Sequence, residues 1–185
     1  MFRRVPSLSI AWMMTCPLLA ACWAQEQLPI TDKLEPLKCG EIQRLHVING
    51  YFLASLPSPE DLAKAKQGGI RTVIDLRESK EFRYDPAIAA KQVGLHYHNL
   101  PFKEPATLTD ELFGQARKLL SDPEKKPVLM FCGSANRVGT IWLVHRVLDQ
   151  KITYEQALKE AQTIGLRLPA YEEKARAYIT RHLKN

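Results

Sequence analysis

Val128-Leu-Met-Phe-Cys132-Gly-Ser-Ala-Asn-Arg137-Val-Gly-Thr140 is the stretch on which the reading of this chain turns. Its first residues are apolar and read as a buried strand over 127–131. A loop of small side chains follows, and then an apolar helix over 137–148 that carries Ile141, Trp142, Val144, Val147 and Leu148. A strand, loop and helix in this order gather backbone N–H groups around a cavity at the helix N-terminus. Partial positive charge collects there, which makes a ready anion site. The same field favours a thiolate over a thiol at Cys132. Arg137 closes the loop with a planar fork of donors that matches two phosphate oxygens. Gly133, Ser134 and Ala135 let the backbone approach the anion closely, and Asn136 completes the binding loop. An arginine in the first turn of a helix faces the positive end of the dipole, which is unfavourable unless an anion joins it. The plainer alternative is a small buried cysteine followed by a solvated arginine.

Upstream, Leu45-His-Val-Ile48 and Tyr51-Phe-Leu-Ala54 flank Asn49-Gly50, the dipeptide of a type I′ hairpin turn. Ser58-Pro59-Glu60-Asp61 is a helix start with a cap, a first-turn proline and a capping-box acid, and Gly68-Gly69 ends that helix. The pattern predicts a buried strand over 72–76, a short helix over 86–93, a strand over 95–100 and an amphipathic helix over 109–120. Two more helices follow, over 154–164 and 170–183, separated around Gly165 and Pro169. Strands alternating with helices predict an α/β domain with a largely parallel central sheet. The hairpin adds antiparallel strands at one side, and the C-terminal helices cover one face.

The chain has 185 residues and a formal charge of +6. Residues 1–24 read as an export signal: Arg3 and Arg4 precede a stretch without charged side chains whose most apolar part, 8–21, is short and interrupted by Pro17. Two cleavage routes are open. Leu19-Ala-Ala-Cys22 has the form of a lipobox and would leave a lipidated Cys22 as a membrane attachment. Cys22-Trp-Ala24 suits ordinary signal peptidase. A buried N-terminal helix is the remaining alternative. Residues 25–40, with Pro29, Pro36 and Gly40, read as an extended lead-in, and 41–185 as the domain itself. An exported protein of this kind is expected in the periplasm or anchored facing it. Without the leader the charge is about +4, which suits an anionic substrate but is too weak to point to nucleic acid. Cys39 and Cys132 remain in the mature body. That is no disulfide framework, although the two could pair in an oxidising compartment.

Four segments together resemble the bacterial branch of tyrosine/dual-specificity phosphatase-like proteins, the branch that includes the phosphatase-like part of β-lactamase-hydrolase-like proteins. They are Leu53-Ala-Ser-Leu-Pro-Ser-Pro-Glu-Asp-Leu62, Gly69-Ile-Arg-Thr-Val-Ile-Asp-Leu-Arg77, Leu95-His-Tyr-His-Asn-Leu-Pro101, and the Cys132 to Arg137 loop with its helix. The resemblance runs over about residues 45–167. It implies a three-layer domain and a phosphorylated substrate, either protein or small ester, without a cofactor or metal. Cys132 would form a phosphocysteine while Arg137 and the loop amides, from Gly133 to Asn136, hold the phosphate. A carboxylic acid from the loop after 95–100 would protonate the leaving oxygen. Glu104 is the first choice for that acid, because Asp110 fits the first turn of the next helix.

The sequence departs from the family pattern in three places. Four residues, rather than the common five, separate Cys132 from Arg137. Phe131 stands where His is usual. Val138 stands where Ser or Thr often helps the thiolate leave, and Thr140 is the nearest hydroxyl on the helix side. These departures point to slow or specialised turnover. They keep two alternatives open: a rhodanese-type sulfurtransferase, whose loop has the same spacing, and a non-catalytic phosphate-binding module. Asp75 and Arg77 read as structural, with Asp75 able to bond loop amides. The five histidines show no metal-ligand pattern.

Overall fold

The computed structural model describes residues 31–183. Its strands are β1 (Glu35–Pro36), β2 (Leu45–Ile48), β3 (Tyr51–Ala54), β4 (Thr72–Asp75), β5 (His96–Asn99) and β6 (Val128–Phe131). Its helices are α1 (Pro59–Gln67), α2 (Pro86–Gln92), α3 (Asp110–Ser121), α4 (Asn136–Leu148), α5 (Tyr154–Ile164) and α6 (Pro169–Leu183). The sheet order is β1-β2-β3-β6-β4-β5. The four strands β3, β6, β4 and β5 run parallel, while β1, β2 and β3 are antiparallel.

Local chemistry explains most of these boundaries. Asn49 (φ 46°) and Gly50 (φ 79°) take the left-handed conformations that the two-residue hairpin needs. Ser58 and Asp61 form the reciprocal capping box of α1, with Ser58 Oγ accepting from Asp61 N and Asp61 Oδ2 accepting from Ser58 N. Asp85, Thr109 and Thr153 cap α2, α3 and α5 through their side chains. The lead-in is not merely extended: Glu35–Pro36 pairs with β2 and forms the edge of the sheet.

The inner strands β3, β4 and β6 are buried on both faces, as the middle of a covered parallel sheet requires, while β1 and β5 at the edges are not. Leu53, Ile74, Met130 and Cys132 face the core shared with α3–α6. Phe52, Val73, Leu129 and Phe131 face the smaller core under α1 and α2. The result is a three-layer domain in which the C-terminal helices cover one side. Helix α4 is buried nearly all round, which is why it is apolar through most of its length. Gly139 lets α5 approach closely, since a Cβ there would lie 2.7 Å from Ala161 O and 2.9 Å from Leu166 Cβ. The export-signal segment and Cys22 lie outside the described residues. Among those described, no helix is long and apolar enough to cross a membrane.

Candidate active site

The carboxyl ends of β3, β4 and β6 converge, with Ala54 and Asp75 both in register with Phe131. Sites in open parallel sheets sit at this edge. Cys132 follows directly, fully buried, and its N–H donates to Ala54 O at 3.4 Å. Gly133 and Ser134 are exposed, and Ala135 turns the chain into α4 with φ 68°. A left-handed alanine costs about 1 kcal/mol, a strain typical of functional loops. Helix α4 has no side-chain cap, unlike α1, α2, α3 and α5. Its first N–H groups are therefore left to an incoming acceptor.

Arg137 is 7% exposed. Its Nη1 donates to Leu76 O at 3.0 Å, Phe102 O at 2.7 Å and Glu81 Oε2 at 2.8 Å, and its Nη2 donates to Glu81 Oε1 at 2.7 Å. These contacts use the Nη1–Nη2 end of the guanidinium and leave the Nε–Nη2 side for a ligand. Burial works against the charge of Arg137, but the Glu81 carboxylate and the Cys132 sulfur more than offset it and raise its pKa further. In return, the hydrogen bond from Arg137 holds the Glu81 carboxyl below its ordinary value. A Cβ at Gly133 would lie 3.7 Å from Arg137 Nη2, so the loop passes directly beside this cation.

Loop residues 102–104 border the site. Phe102 O binds Arg137, Tyr171 donates to Lys103 O, and Glu104 N donates to Thr107 Oγ1 at 3.3 Å. The Glu104 side chain is exposed. It nevertheless lies close enough to act on Tyr171, whose hydroxyl also feels Arg137, Cys132 and Glu81. The structure thus brings Cys132, Gly133 to Asn136 and Arg137 together, with Glu104 two residues beyond Phe102, whose carbonyl Arg137 binds. Asp110 is the first residue of α3 and pairs with Arg181 at 2.6 Å, away from this role.

Several residues act differently from the sequence reading, or were not found by it. Asp75 bonds a loop amide, as expected, but that of Arg77 in the loop after its own strand and none in the Cys132 loop. Its carboxylate accepts from Arg77 N, Nε and Nη2 at 2.8–3.0 Å and from Tyr97 OH at 3.1 Å, because Arg77 folds back onto it. Phe131 points to the opposite face from Cys132 and packs beneath the Arg77 guanidinium at 5.1 Å. Asn136 turns its Oδ1 to Arg167 N at 2.9 Å, so it ties the loop to the α5–α6 connection. The Thr140 hydroxyl donates to Asn136 O at 3.1 Å within its own helix. Cys39 and Cys132 are both free thiols and belong to opposite faces of the sheet. Glu81 and Arg44, whose Nη1 donates to Ser134 O at 2.9 Å, support the loop without having been singled out by any motif. No cluster among the described residues has the make-up of a metal site.

Solved structures with the same fold include P. aeruginosa TpbA (22% identity, TM-score 0.63, 81% of this chain and 90% of that one). The active form of Tk-PTP is 17% identical, with a TM-score of 0.64 over 71% of this chain and 92% of that one. The Siw14 catalytic core is 14% identical, with a TM-score of 0.63 over 78% and 87%. A comparison with curated protein sequences finds no match. The layered sheet and its cysteine–arginine loop define a domain of the tyrosine/dual-specificity phosphatase class. Residues 53–162 match the model of the tyrosine phosphatase family, and the chain belongs to that family. It is accordingly a phosphoric monoester hydrolase acting on phosphorylated substrates.

Proposed function

We propose that the protein hydrolyses phosphate monoesters, phosphotyrosine among them, through a phosphocysteine at Cys132. The observation that carries this reading is the pairing of a buried thiol with Arg137, whose outer end is fixed by Glu81, Leu76 O and Phe102 O. A guanidinium held from behind presents its free edge without losing rotamer entropy on binding. The Cys132 sulfur attacks phosphorus, forming the S–P bond as the P–O bond to the leaving group breaks. Arg137 and the amides of Gly133 to Asn136 take the equatorial oxygens. The Glu104 carboxyl gives its proton to the leaving oxygen. Its carboxylate then takes a proton from the water that attacks the phosphocysteine, which releases phosphate and the thiolate. The similar TpbA fold has been crystallised in complex with pTyr, and the PTPMT1 fold, with a TM-score of 0.55, in complex with PI(5)P. Both ligands offer the phosphate that this loop reads.

The test is turnover of p-nitrophenyl phosphate by the mature protein, with thiosulfate:cyanide sulfurtransfer measured alongside. Phosphate release that vanadate inhibits, a chelator spares and Cys132→Ser abolishes is the expected result. Sulfurtransfer without phosphate release would establish the rhodanese-type alternative, and neither activity would leave a binding module. The compartment belongs to the same proposal: residues 1–24 direct export, to the periplasm or to a membrane anchor through Cys22. The charge layout of that segment supports it.

A further inference from the structure

Three consecutive residues of the loop after β5 are each tied to a different element. Phe102 N donates to Leu76 O at 3.3 Å, and Phe102 O accepts from Arg137 at 2.7 Å. Lys103 O accepts from the Tyr171 hydroxyl. Glu104 N reaches Thr107 Oγ1, which closes the short turn Pro105–Thr107. Tyr171 comes from the first turn of α6, almost seventy positions downstream in sequence, and is 4% exposed. Its ring meets Phe102 edge-on, with centroids 5.7 Å apart and planes at 88°. One side chain therefore grips two adjacent residues of the loop, Phe102 by its ring and Lys103 by its hydroxyl. The residue immediately beyond the grip is Glu104.

We propose that Tyr171 is a positioning residue that holds the acid-bearing loop beside the phosphate loop, so that Glu104 is in place before substrate arrives. This rests on Glu104 being the general acid. The side chain of Glu104 is exposed and faces only the backbone of the short turn that it opens, Pro105–Thr107. Its placement therefore depends on the backbone that carries it. Pro105 restricts that backbone on one side, and the Tyr171 grip restricts it on the other. The tyrosine is suited to the task. Burial is the main cause that pushes its pKa up to about 12, with Glu104 and Cys132 adding to it and Arg137 opposing, so it remains a donor across the working pH range. A loop held in this way also links the two halves of the chemistry. The arginine that binds the phosphate holds Phe102, and the same peptide segment delivers the proton.

Proton donation matters only when the leaving oxygen is basic. That makes leaving-group dependence a readout that general loosening of the fold would not produce. Tyr171→Phe keeps the ring on Phe102 and removes only the hydroxyl. It is expected to lower kcat/KM for phenyl phosphate about tenfold, a fraction of what a general acid supplies. For 2,4-dinitrophenyl phosphate, kcat/KM, which reports only the steps up to the phosphocysteine, and inhibition by vanadate should stay close to wild type, which also shows that the site is folded. Glu104→Gln should show the same selectivity, and the double variant should lose little beyond Glu104→Gln alone. An equal loss on both substrates, no loss on phenyl phosphate, or losses that multiply in the double variant would overturn the proposal. If Glu104→Gln is selective and Tyr171→Phe is silent, the acid assignment stands and the positioning role falls. If Glu104→Gln itself spares phenyl phosphate, both fall.

Discussion

Arg137 is a cation with little access to water, and Glu81 is its charged partner. Removing one member of such a pair leaves the other uncompensated, which costs more than the pair itself contributes. Glu81→Gln keeps the shape and deletes the charge, so vanadate binding should weaken about tenfold, the equivalent of one charge-assisted hydrogen bond. Full affinity in that variant, measured by inhibition of aryl phosphate turnover, would remove Glu81 from the site. The pair also has a pH signature. The folded-state pKa of Glu81 lies below its ordinary 4.5, chiefly through the hydrogen bond from Arg137. Its contribution to stability is therefore complete above that ordinary value and disappears as pH falls through the lower folded value. Urea midpoints followed into acid should converge for wild type and Glu81→Gln. Midpoints that stay equally far apart at all pH values would contradict the assignment.

The contact between α4 and α5 shows what a single missing atom contributes to an element. A methyl at Gly139 would strike Ala161 O and Leu166 N, both of them backbone atoms. Gly139→Ala should therefore lower stability by about 1–3 kcal/mol, despite the better helix propensity of alanine. A chemical denaturation midpoint at or above wild type would show that α5 yields freely. Most elements were legible because their signals are local: the Asn49-Gly50 turn, the Ser58 to Asp61 box, and the unbroken apolar run of β6. What escaped the sequence is non-local. The two residues of β1 are exposed and unpatterned, so only the edge of β2 makes them a strand. Glu81 lies fifty-six positions from Arg137, inside a charged segment where no spacing sets it apart from Glu78. The cysteine–arginine loop was legible because its residues are contiguous. Its supports, Glu81, Arg44 and Tyr171, come from three other parts of the chain.

At the scale of the whole molecule, the sheet divides the chain into two packed faces, and Cys132 lies where three strand ends meet α4. The export proposal assigns the address of this domain to residues 1–24. A reporter fused to residues 1–24 should leave a bacterial cytoplasm, and fatty-acid labelling of the full chain should vanish in Cys22→Ala if the lipobox is used. A reporter retained in the cytoplasm would remove the export proposal. Val138 offers no hydroxyl beside the sulfur, and the Thr140 hydroxyl is engaged by Asn136 O, so departure of the thiolate should be the slow step. The most direct measurement is rapid acid quench of the enzyme with p-nitrophenyl phosphate, followed by mapping of the trapped phosphate. A burst of nitrophenol matched by phosphate on Cys132, and absent in Cys132→Ser, is the expected result. Steady turnover without a burst and with phosphate on no cysteine would contradict it.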